Sequence, residues 1–308
     1  MMADFSLAHL TVISLAPPLM VDVAASTGYR YVGLRLIPVT PDSPGYPLMN
    51  DRTMMRETKA RLADTGIGVH DIEIVRFALE TDVESFLPFL EAGAELGARH
   101  VLTAAYDPDR GRLIDRFGAL CDLAAPFGLT IDIEFFPWTD VPNLSQAAAV
   151  VAAVDRTNSG ILVDALHFDR SASTIEQLDA VPRPRLPFVH LCDAPAEKPA
   201  TTEAMIFTAR TERLAPGEGC IDLQRILRHM PPGIPVALAR GTDEKVDTRA
   251  GTGGSRATGE GRGGPGARHN RKRIKMREVE CDLLVIGSGA AGLSAAVTAR
   301  RQQQISYN

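Results

Sequence analysis

Three apolar, β-type segments of this chain each carry metal-binding types of side chain near their carboxyl ends. The residues are Glu134 in the first segment (129–137), Asp164 and His167 in the second (161–168) and His190 in the third (187–195). Glu134 and Asp164 are 30 positions apart, and Asp164 and His190 are 26 apart. Such spacing is about one strand, one helix and two short loops, so in a parallel barrel the strand ends meet at one mouth. Two carboxylates and an imidazole there predict a site for a hard or borderline divalent cation.

The remaining sequence supplies the elements that would position these groups. Strand-type and helix-type segments alternate along the chain, and eight apolar strand-type segments are found between residues 9 and 239. The predicted strands are 9–15, 31–38, 68–77, 99–106, 129–137, 161–168, 187–195 and 234–239. The predicted helices are 17–28, 52–66, 83–97, 112–128, 145–155, 174–181 and 220–230, with a less regular insertion at 196–219. Strict alternation with apolar strands favours parallel pairing with the helices outside. The predicted fold is an α/β, TIM (β/α)8 barrel that lacks its final helix.

Composition and net charge limit the partners and the compartment that this chain could have. The chain has 308 residues, 45% of them apolar, and a formal net charge of −5. No nucleic-acid or membrane partner is indicated. The four cysteines form no CxxC pair, and there is no apolar run long enough to span a membrane. We therefore expect a reduced, cytoplasmic protein, with homo-oligomerisation left open.

The chain changes character after residue 239. Residues 240–277 hold eleven Lys or Arg, four Asp or Glu and no apolar periodicity, which predicts a disordered Gly/Arg-rich linker. Residues 278–308 then read as a strand followed by Gly287, Gly289 and Gly292 in GxGxxG spacing, the βα opening of a dinucleotide-binding domain. This last segment resembles the first residues of flavoprotein oxidoreductases of the fumarate reductase type. It lacks the acidic ribose ligand and a second strand, so FAD binding is not expected. We hypothesise a shifted reading frame near residue 239, with a true fusion as the alternative.

Residues 5–239 resemble the sugar phosphate isomerase/epimerase group of xylose-isomerase-like barrels. The resemblance rests on IDIEFFP around Glu134, LVDALHFDRS around Asp164, HLCDAP around His190 and RLAPGEGCIDL from Arg213. It implies that Glu134, Asp164 and His190 hold one divalent ion, Mn²⁺, Mg²⁺, Co²⁺ or Zn²⁺.

The resemblance also assigns catalytic roles, and it identifies one departure from the family pattern. It implies that His167 contacts the substrate beside the metal, and that Arg213 contacts substrate or orders a lid. In this family a glutamate on strand eight supplies the fourth ligand, but this chain has Ala239 there. The expected activity is metal-dependent isomerisation or epimerisation of a sugar or sugar phosphate by proton abstraction beside a metal-bound carbonyl. Glu134 is the expected base.

Two arginines at predicted strand ends are further candidates for substrate binding. Arg35 and Arg76 lie at predicted strand ends, where they could bind a phosphate or carboxylate of the substrate. Glu73 is a candidate for the barrel interior, and Asp193 for capping a loop. The alternative functions are an inosose-type dehydratase on the same barrel, and an inactive or binding protein that lacks the fourth ligand. An endonuclease IV-like nuclease is disfavoured, because the barrel is acidic and has few histidines.

Overall fold

The structure is a computed structural model that describes residues 4–40 and 43–241. The strands are β1 (Phe5–Ala8), β2 (Tyr31–Arg35), β3 (Gly68–Phe77), β4 (His100–Ala105), β5 (Thr130–Glu134), β6 (Ser159–Asp164), β7 (Val189–Leu191) and β8 (Val236–Leu238). The helices are α1 (Pro17–Ser26), α2 (Arg52–Thr65), α3 (Leu87–Glu95), α4 (Arg110–Ala124), α5 (Leu144–Val154), α6 (Ala165–Arg170), α7 (Ile175–Ala180), α8 (Thr202–Thr211) and α9 (Leu223–His229). Among them, no helix has both the length and the apolar character that a membrane span requires.

The eight strands form a closed parallel barrel in sequence order. Each strand pairs with the next, and β1 pairs with β8, where Ser6 lies opposite Ala237. The predicted TIM-type barrel is therefore confirmed. The predictions of a missing last helix, of the 240–277 linker and of the 278–308 βα fragment fall almost entirely on residues 242–308, which lie outside the described residues.

Helix boundaries follow local capping chemistry. Helix α2 begins after Asp51, whose side chain accepts hydrogen bonds from the amides of Thr53 and Met54. It ends at Gly66, where the backbone adopts a left-handed φ of 73° that glycine tolerates best. Helix α7 starts with a complete capping box between Thr174 and Gln177. These side-chain caps satisfy amides that have no partner within the helix, so they fix where each helix starts.

Several predicted elements differ in the structure, and the predicted strands 129–137 and 187–195 are shortened to Thr130–Glu134 and Val189–Leu191. The 9–15 segment is not a strand, because β1 precedes it and His9–Val12 forms a short 3₁₀ turn. The 161–168 strand stops at Asp164, whose carboxylate caps α6. The 83–97 helix begins only near Pro88, which fits the first turn because it has no amide hydrogen to lose. The insertion at 196–219 contains α8, which the sequence reading missed.

The amino-terminal half of the barrel interior contains buried polar side chains. His100 contacts Asp132 (2.7 Å between Nδ1 and Oδ2), and its ring stacks on that of His70 with centroids 4.8 Å apart. Asp132 lies so close to Gly160 that a Cβ there would be 2.1 Å from its Oδ1 atom. Glycine is thus required on β6 opposite this buried carboxylate.

Candidate active site

A cavity of about 250 Å³ opens at the carboxyl ends of the strands, where a TIM barrel carries its active site. Its lining includes six of the seven side chains predicted to act, which are Glu134, His167, His190, Arg35, Arg76 and Arg213. The seventh, Asp164, is fully buried and is bonded to Arg213. The structure therefore brings all seven into one region.

The predicted metal ligands do not converge equally. Glu134, Asp164 and His167 each present one ligand atom, and these atoms lie within 4.8 Å of one another. His167 Nε2 is 3.8 Å from Glu134 Oε1. His190 Nδ1 lies 4.0 Å from Asp164 Oδ2, but His190 is not part of the set whose ligand atoms all lie within 4.8 Å. The closest set thus contains His167, to which the sequence reading gave a substrate role, in place of His190.

Local structure explains how His167 reaches the carboxylates. Asp164 is the last residue of β6, and its Oδ1 atom accepts hydrogen bonds from the amides of Leu166 (2.9 Å) and His167 (3.2 Å). This cap turns the chain into α6 at the barrel mouth. His167 therefore projects from the first turn of a helix, three residues after the carboxylate.

Arg213 neutralises the buried carboxylate from the far side. It is only 7% exposed, and its Nη1 atom lies 2.5 Å from Asp164 Oδ2. Its other bonds run to the carbonyl oxygens of Ala209 (2.6 Å) and Ala239 (3.3 Å), to Cys192 Sγ (3.5 Å) and to His167 Nε2 (3.2 Å). The arginine that was predicted to contact substrate thus forms part of the site's internal charge balance.

Burial and these contacts shift the pKa values of Asp164, Glu134 and His167 in different directions. Burial opposes the ionisation of Asp164, but the charge of Arg213 outweighs it and holds the pKa of Asp164 well below its ordinary value. Burial and the nearby Asp164 charge raise the pKa of Glu134 well above its ordinary value. Burial lowers the pKa of His167 to about 3, although Asp164 acts in the opposite direction. The site therefore combines one ionised carboxylate, one carboxyl group that readily holds a proton, and a neutral imidazole.

The donor set suits a divalent cation. Carboxylate oxygens and neutral imidazole nitrogens are ligands for Mn²⁺ and Zn²⁺. Two buried imidazole atoms, His167 Nδ1 and His190 Nε2, have no hydrogen-bond partner in the described residues. Ala239, which directly follows β8 and lines the cavity, offers no side-chain ligand. The residues fit a metal ion, but Arg213 contends with it for Asp164 Oδ2 and for His167 Nε2.

An aromatic wall beside Glu134 was missed in the sequence reading. The rings of Phe136 and Trp138 stack with centroids 5.3 Å apart, and both meet His167 edge-on. The FFPW run directly after β5 could have indicated it, since bulky aromatic residues at a strand end face the barrel mouth. This wall shields His167 and one side of the cavity from water.

Two neighbouring residues of interest have structural partners. Glu73 faces the cavity and is paired with Arg35, whose Nη2 and Nε atoms are 3.0 and 3.1 Å from Glu73 Oε1. Asp193 accepts hydrogen bonds from the amides of Ala194, Gly217 and Ile221. Asp193 thus organises the loop after Arg213, as expected for a capping aspartate.

The family described as xylose isomerase-like TIM barrel matches residues 21–232 of this chain. Residues 282–306 match an FAD binding domain family. Curated relatives include inosose isomerases of Bacillus licheniformis, 30% identical over 152 residues, and of Bacillus subtilis, 33% identical over 113 residues. The first match covers 46% of this chain and 52% of the relative, and the second covers 36% and 38%. The chain thus spans about half the length, or less, of the curated relatives it matches.

Solved structures share the fold at lower identity. The IolI protein with a bound zinc atom aligns at a TM-score of 0.66 and 21% identity, covering 77% of this chain and 88% of that one. A D-allulose 3-epimerase from Methylomonas sp., in complex with D-allulose, aligns at 0.59 and 18% identity, covering 81% and 88%. A probable 3-DHS dehydratase from Bacillus anthracis aligns at 0.61 and 17% identity, covering 76% and 92%. At these identities the likeness shows the fold.

Proposed function

The chain belongs to the xylose isomerase-like TIM barrel family, and we propose that it is a metal-dependent isomerase or epimerase of a small sugar-type substrate. The observation that carries the proposal is the convergence of Glu134, Asp164 and His167 within 4.8 Å at the mouth of the barrel. The inosose isomerase relatives support the same class of reaction.

Glu134 is the group proposed to move the proton. It lines the cavity, is only 6% exposed and has no hydrogen-bond partner among the described residues that would hold its carboxylate inactive. Its raised pKa suits a base that takes a proton from carbon and returns it, because such a group works best near the ambient pH. We assign it the transfer between the two carbons of the substrate, or between the two faces of one carbon.

The neighbouring side chains orient the substrate and exclude water. His167 Nε2 accepts a hydrogen bond from Arg213, so the proton of the neutral ring is on Nδ1, which can donate to a substrate oxygen; the Asp164–Arg213 pair fixes the position of the ring. Phe136 and Trp138 cover the same region with apolar surface. Exclusion of water strengthens each of these polar contacts.

Glu134, Asp164 and either His167 or His190 would hold the divalent ion. When bound, the ion supplies Lewis acidity that polarises the substrate carbonyl and acidifies the neighbouring C–H bond. We retain the proposed substrate contacts of Arg35, Arg76 and Arg213. Residues 240–277 and 278–308 remain, as a proposal, a linker and a separate βα fragment.

A binding protein without turnover is the second candidate. Two observations favour it: Ala239 provides no fourth ligand, and Arg213 already neutralises Asp164. A dehydratase on the same barrel would start with the same proton abstraction but would lose water afterwards.

Exchange with solvent deuterium separates these functions. The purified chain is incubated with Mn²⁺ in D₂O together with inososes or D-allulose. NMR then follows the signal of the hydrogen on the carbon beside the carbonyl. We expect deuterium incorporation with interconversion of isomers, and none in Glu134→Gln. Loss of water would identify a dehydratase. Binding without any exchange would refute the isomerase proposal in favour of the binding protein.

A further inference from the structure

A bulge in β3 places a second carboxylate in the lining of the cavity. Ile72 and Val75 are three steps apart on β3 but pair with β4 residues that are only two steps apart. Glu73 lies inside this bulge and lines the cavity, as does Arg76 beyond it. Bulges are common beside active sites, where the extra residue redirects a side chain. The cavity therefore has a carboxylate on β3 as well as Glu134 on β5.

One oxygen of Glu73 is available to a ligand. Arg35 approaches the other oxygen, Oε1, with both its Nε (3.1 Å) and its Nη2 atom (3.0 Å). Oε2 accepts no hydrogen bond from the described residues, yet it is not sealed inside the protein. Since the side chain lines the cavity, this oxygen is open to what the cavity holds. Arg35 thus fixes the carboxylate by one oxygen and leaves the second one free.

The two carboxyl groups of the cavity influence each other's ionisation. Burial raises the pKa of Glu73, although the charge of Arg35 acts in the opposite direction. After burial and the charge of Asp164, the charge of Glu73 is a further cause that raises the pKa of Glu134. Because a negative charge disfavours another one nearby, ionised Glu134 favours a protonated Glu73. A pair in opposite protonation states can take a proton with one group and give one with the other.

The two groups stand on strands that flank β4. Ala104 of β4 pairs with Glu134 and also lines the cavity, and its side chain is a single methyl group. A ligand held over Ala104 therefore has one carboxylate on the β3 side and the other on the β5 side. A single carboxylate returns a proton to the side of a carbon from which it took it. Inversion needs a second group on another side, and Glu73 is the second carboxylate in the described lining of the cavity.

We propose that Glu73 is the second acid–base residue of this cavity, and that the reaction inverts one carbon beside a carbonyl group. This inference rests on the proposed function, because it deepens the same proton transfer. The Glu134 carboxylate takes the proton, the electrons of the C–H bond form a C=C bond, and the carbonyl oxygen gains the negative charge. The carboxylic acid of Glu73 then gives its proton to the other side of the same carbon, and the C=O bond forms again. Glu134 ends protonated and Glu73 ionised, and exchange with solvent restores the starting pair. In the reverse direction the two roles are exchanged.

The test separates exchange of a hydrogen from inversion of its carbon. Wild type and Glu73→Gln are incubated with Mn²⁺ in D₂O, either with D-allulose or with D-fructose, its epimer at carbon 3, and NMR follows the hydrogen on that carbon. We expect wild type to exchange this hydrogen in both sugars and to interconvert them. Glu73→Gln should still exchange D-allulose through Glu134, but it should form D-fructose about a hundred- to ten-thousandfold more slowly, which is the usual contribution of one acid–base group. With D-fructose as the starting sugar, this variant should show no exchange.

A second variant and a control keep the test decisive if Glu73→Gln folds poorly. Glu73→Asp keeps the charge beside Arg35 but withdraws the carboxylate by one methylene group, so exchange of D-fructose should slow more than exchange of D-allulose. Asp107→Asn is the matched control, since Asp107 is also a buried carboxylate paired with an arginine (Arg116, 2.9 Å) but lies outside the cavity lining. This control should lower thermal stability, while the ratio of exchange to inversion stays that of wild type.

A Glu73 that only supports Arg35 would give a different pattern. Loss of the ion pair alone would slow exchange of both sugars alike, and the same fraction of exchange events would end in inversion. That result in Glu73→Gln or Glu73→Asp would overturn the proposal. Interconversion that survives in Glu73→Gln at the wild-type rate would also refute the role of Glu73, but not the proposed function. Absence of exchange in wild type would refute the proposed function, and this inference with it.

Discussion

Replacing Arg213 with glutamine should make the stability of the barrel depend on metal. Asp164 is fully buried, and Arg213 Nη1 lies 2.5 Å from its Oδ2 atom. Removing one partner of a buried ion pair costs about 3–5 kcal/mol, because the other charge stays buried without compensation. For a domain of this size, about 1 kcal/mol shifts Tm by about 2–4 °C. We therefore expect Arg213→Gln to unfold roughly 6–20 °C below wild type in EDTA.

Divalent metal should reverse this loss, since it neutralises the same carboxylate. At a free Mn²⁺ concentration 100 times its Kd, binding to the native state adds about 2.7 kcal/mol. Wild type should gain less from equal Mn²⁺, because the ion must compete with Arg213 for Asp164 Oδ2. Thermal unfolding by circular dichroism, with and without Mn²⁺, measures both effects, and calorimetry gives the affinities.

Arg116→Gln is the control for loss of an arginine–aspartate pair elsewhere. Arg116 contacts the buried Asp107 at 2.9 Å, away from the cavity. This variant should lose stability without recovering it in Mn²⁺. Equal stabilisation of wild type and Arg213→Gln by Mn²⁺ would refute the competition between Arg213 and the metal.

Four further predictions concern the same molecule. Glu134→Gln should abolish deuterium exchange yet raise Tm in EDTA at pH 7, because burial and the charge of Asp164 raise the pKa of Glu134 and make its ionised form unfavourable in the folded state; an unchanged Tm would contradict this. Ala239→Glu should tighten Mn²⁺ binding in calorimetry by supplying a fourth ligand, and equal affinity would show that position 239 is not the missing ligand site. Burial lowers the pKa of His9 to about 4 and that of His167 to about 3, so as pH falls through 6.5 the unfolded state binds more protons than the folded state. Stability should fall by about 1.3 kcal/mol per group between pH 7.0 and 5.5, as urea titrations at these two pH values would show. Truncation after residue 241 should leave exchange activity unchanged and the full-length protein should be colourless, whereas flavin absorbance that disappears on replacing the glycines of the GxGxxG motif would contradict this.

The course of the barrel could be predicted from sequence because it depends on local patterns. Apolar strand-type runs alternate with amphipathic helices, and helix caps such as Asp51 and Gly66 mark the boundaries over a few residues. The carboxyl ends of parallel strands meet at one mouth, so Glu134, Asp164 and His190 could be assigned to one region before their contacts were known. The strand assigned to 161–168 was wrong beyond Asp164, because alternation does not reveal when a side chain caps a helix.

Tertiary structure alone decided how these groups contact one another. Arg213 meets Asp164 across 49 residues of chain, and no local pattern encodes that distance. The close approach of His167 depends on the cap that Asp164 provides for α6. The bulge in β3 turns Arg76 inward, and its position is visible only in the register against β4. Sequence therefore determined which side chains reach the mouth, while packing and register determined which charges are paired and which remain available to a ligand.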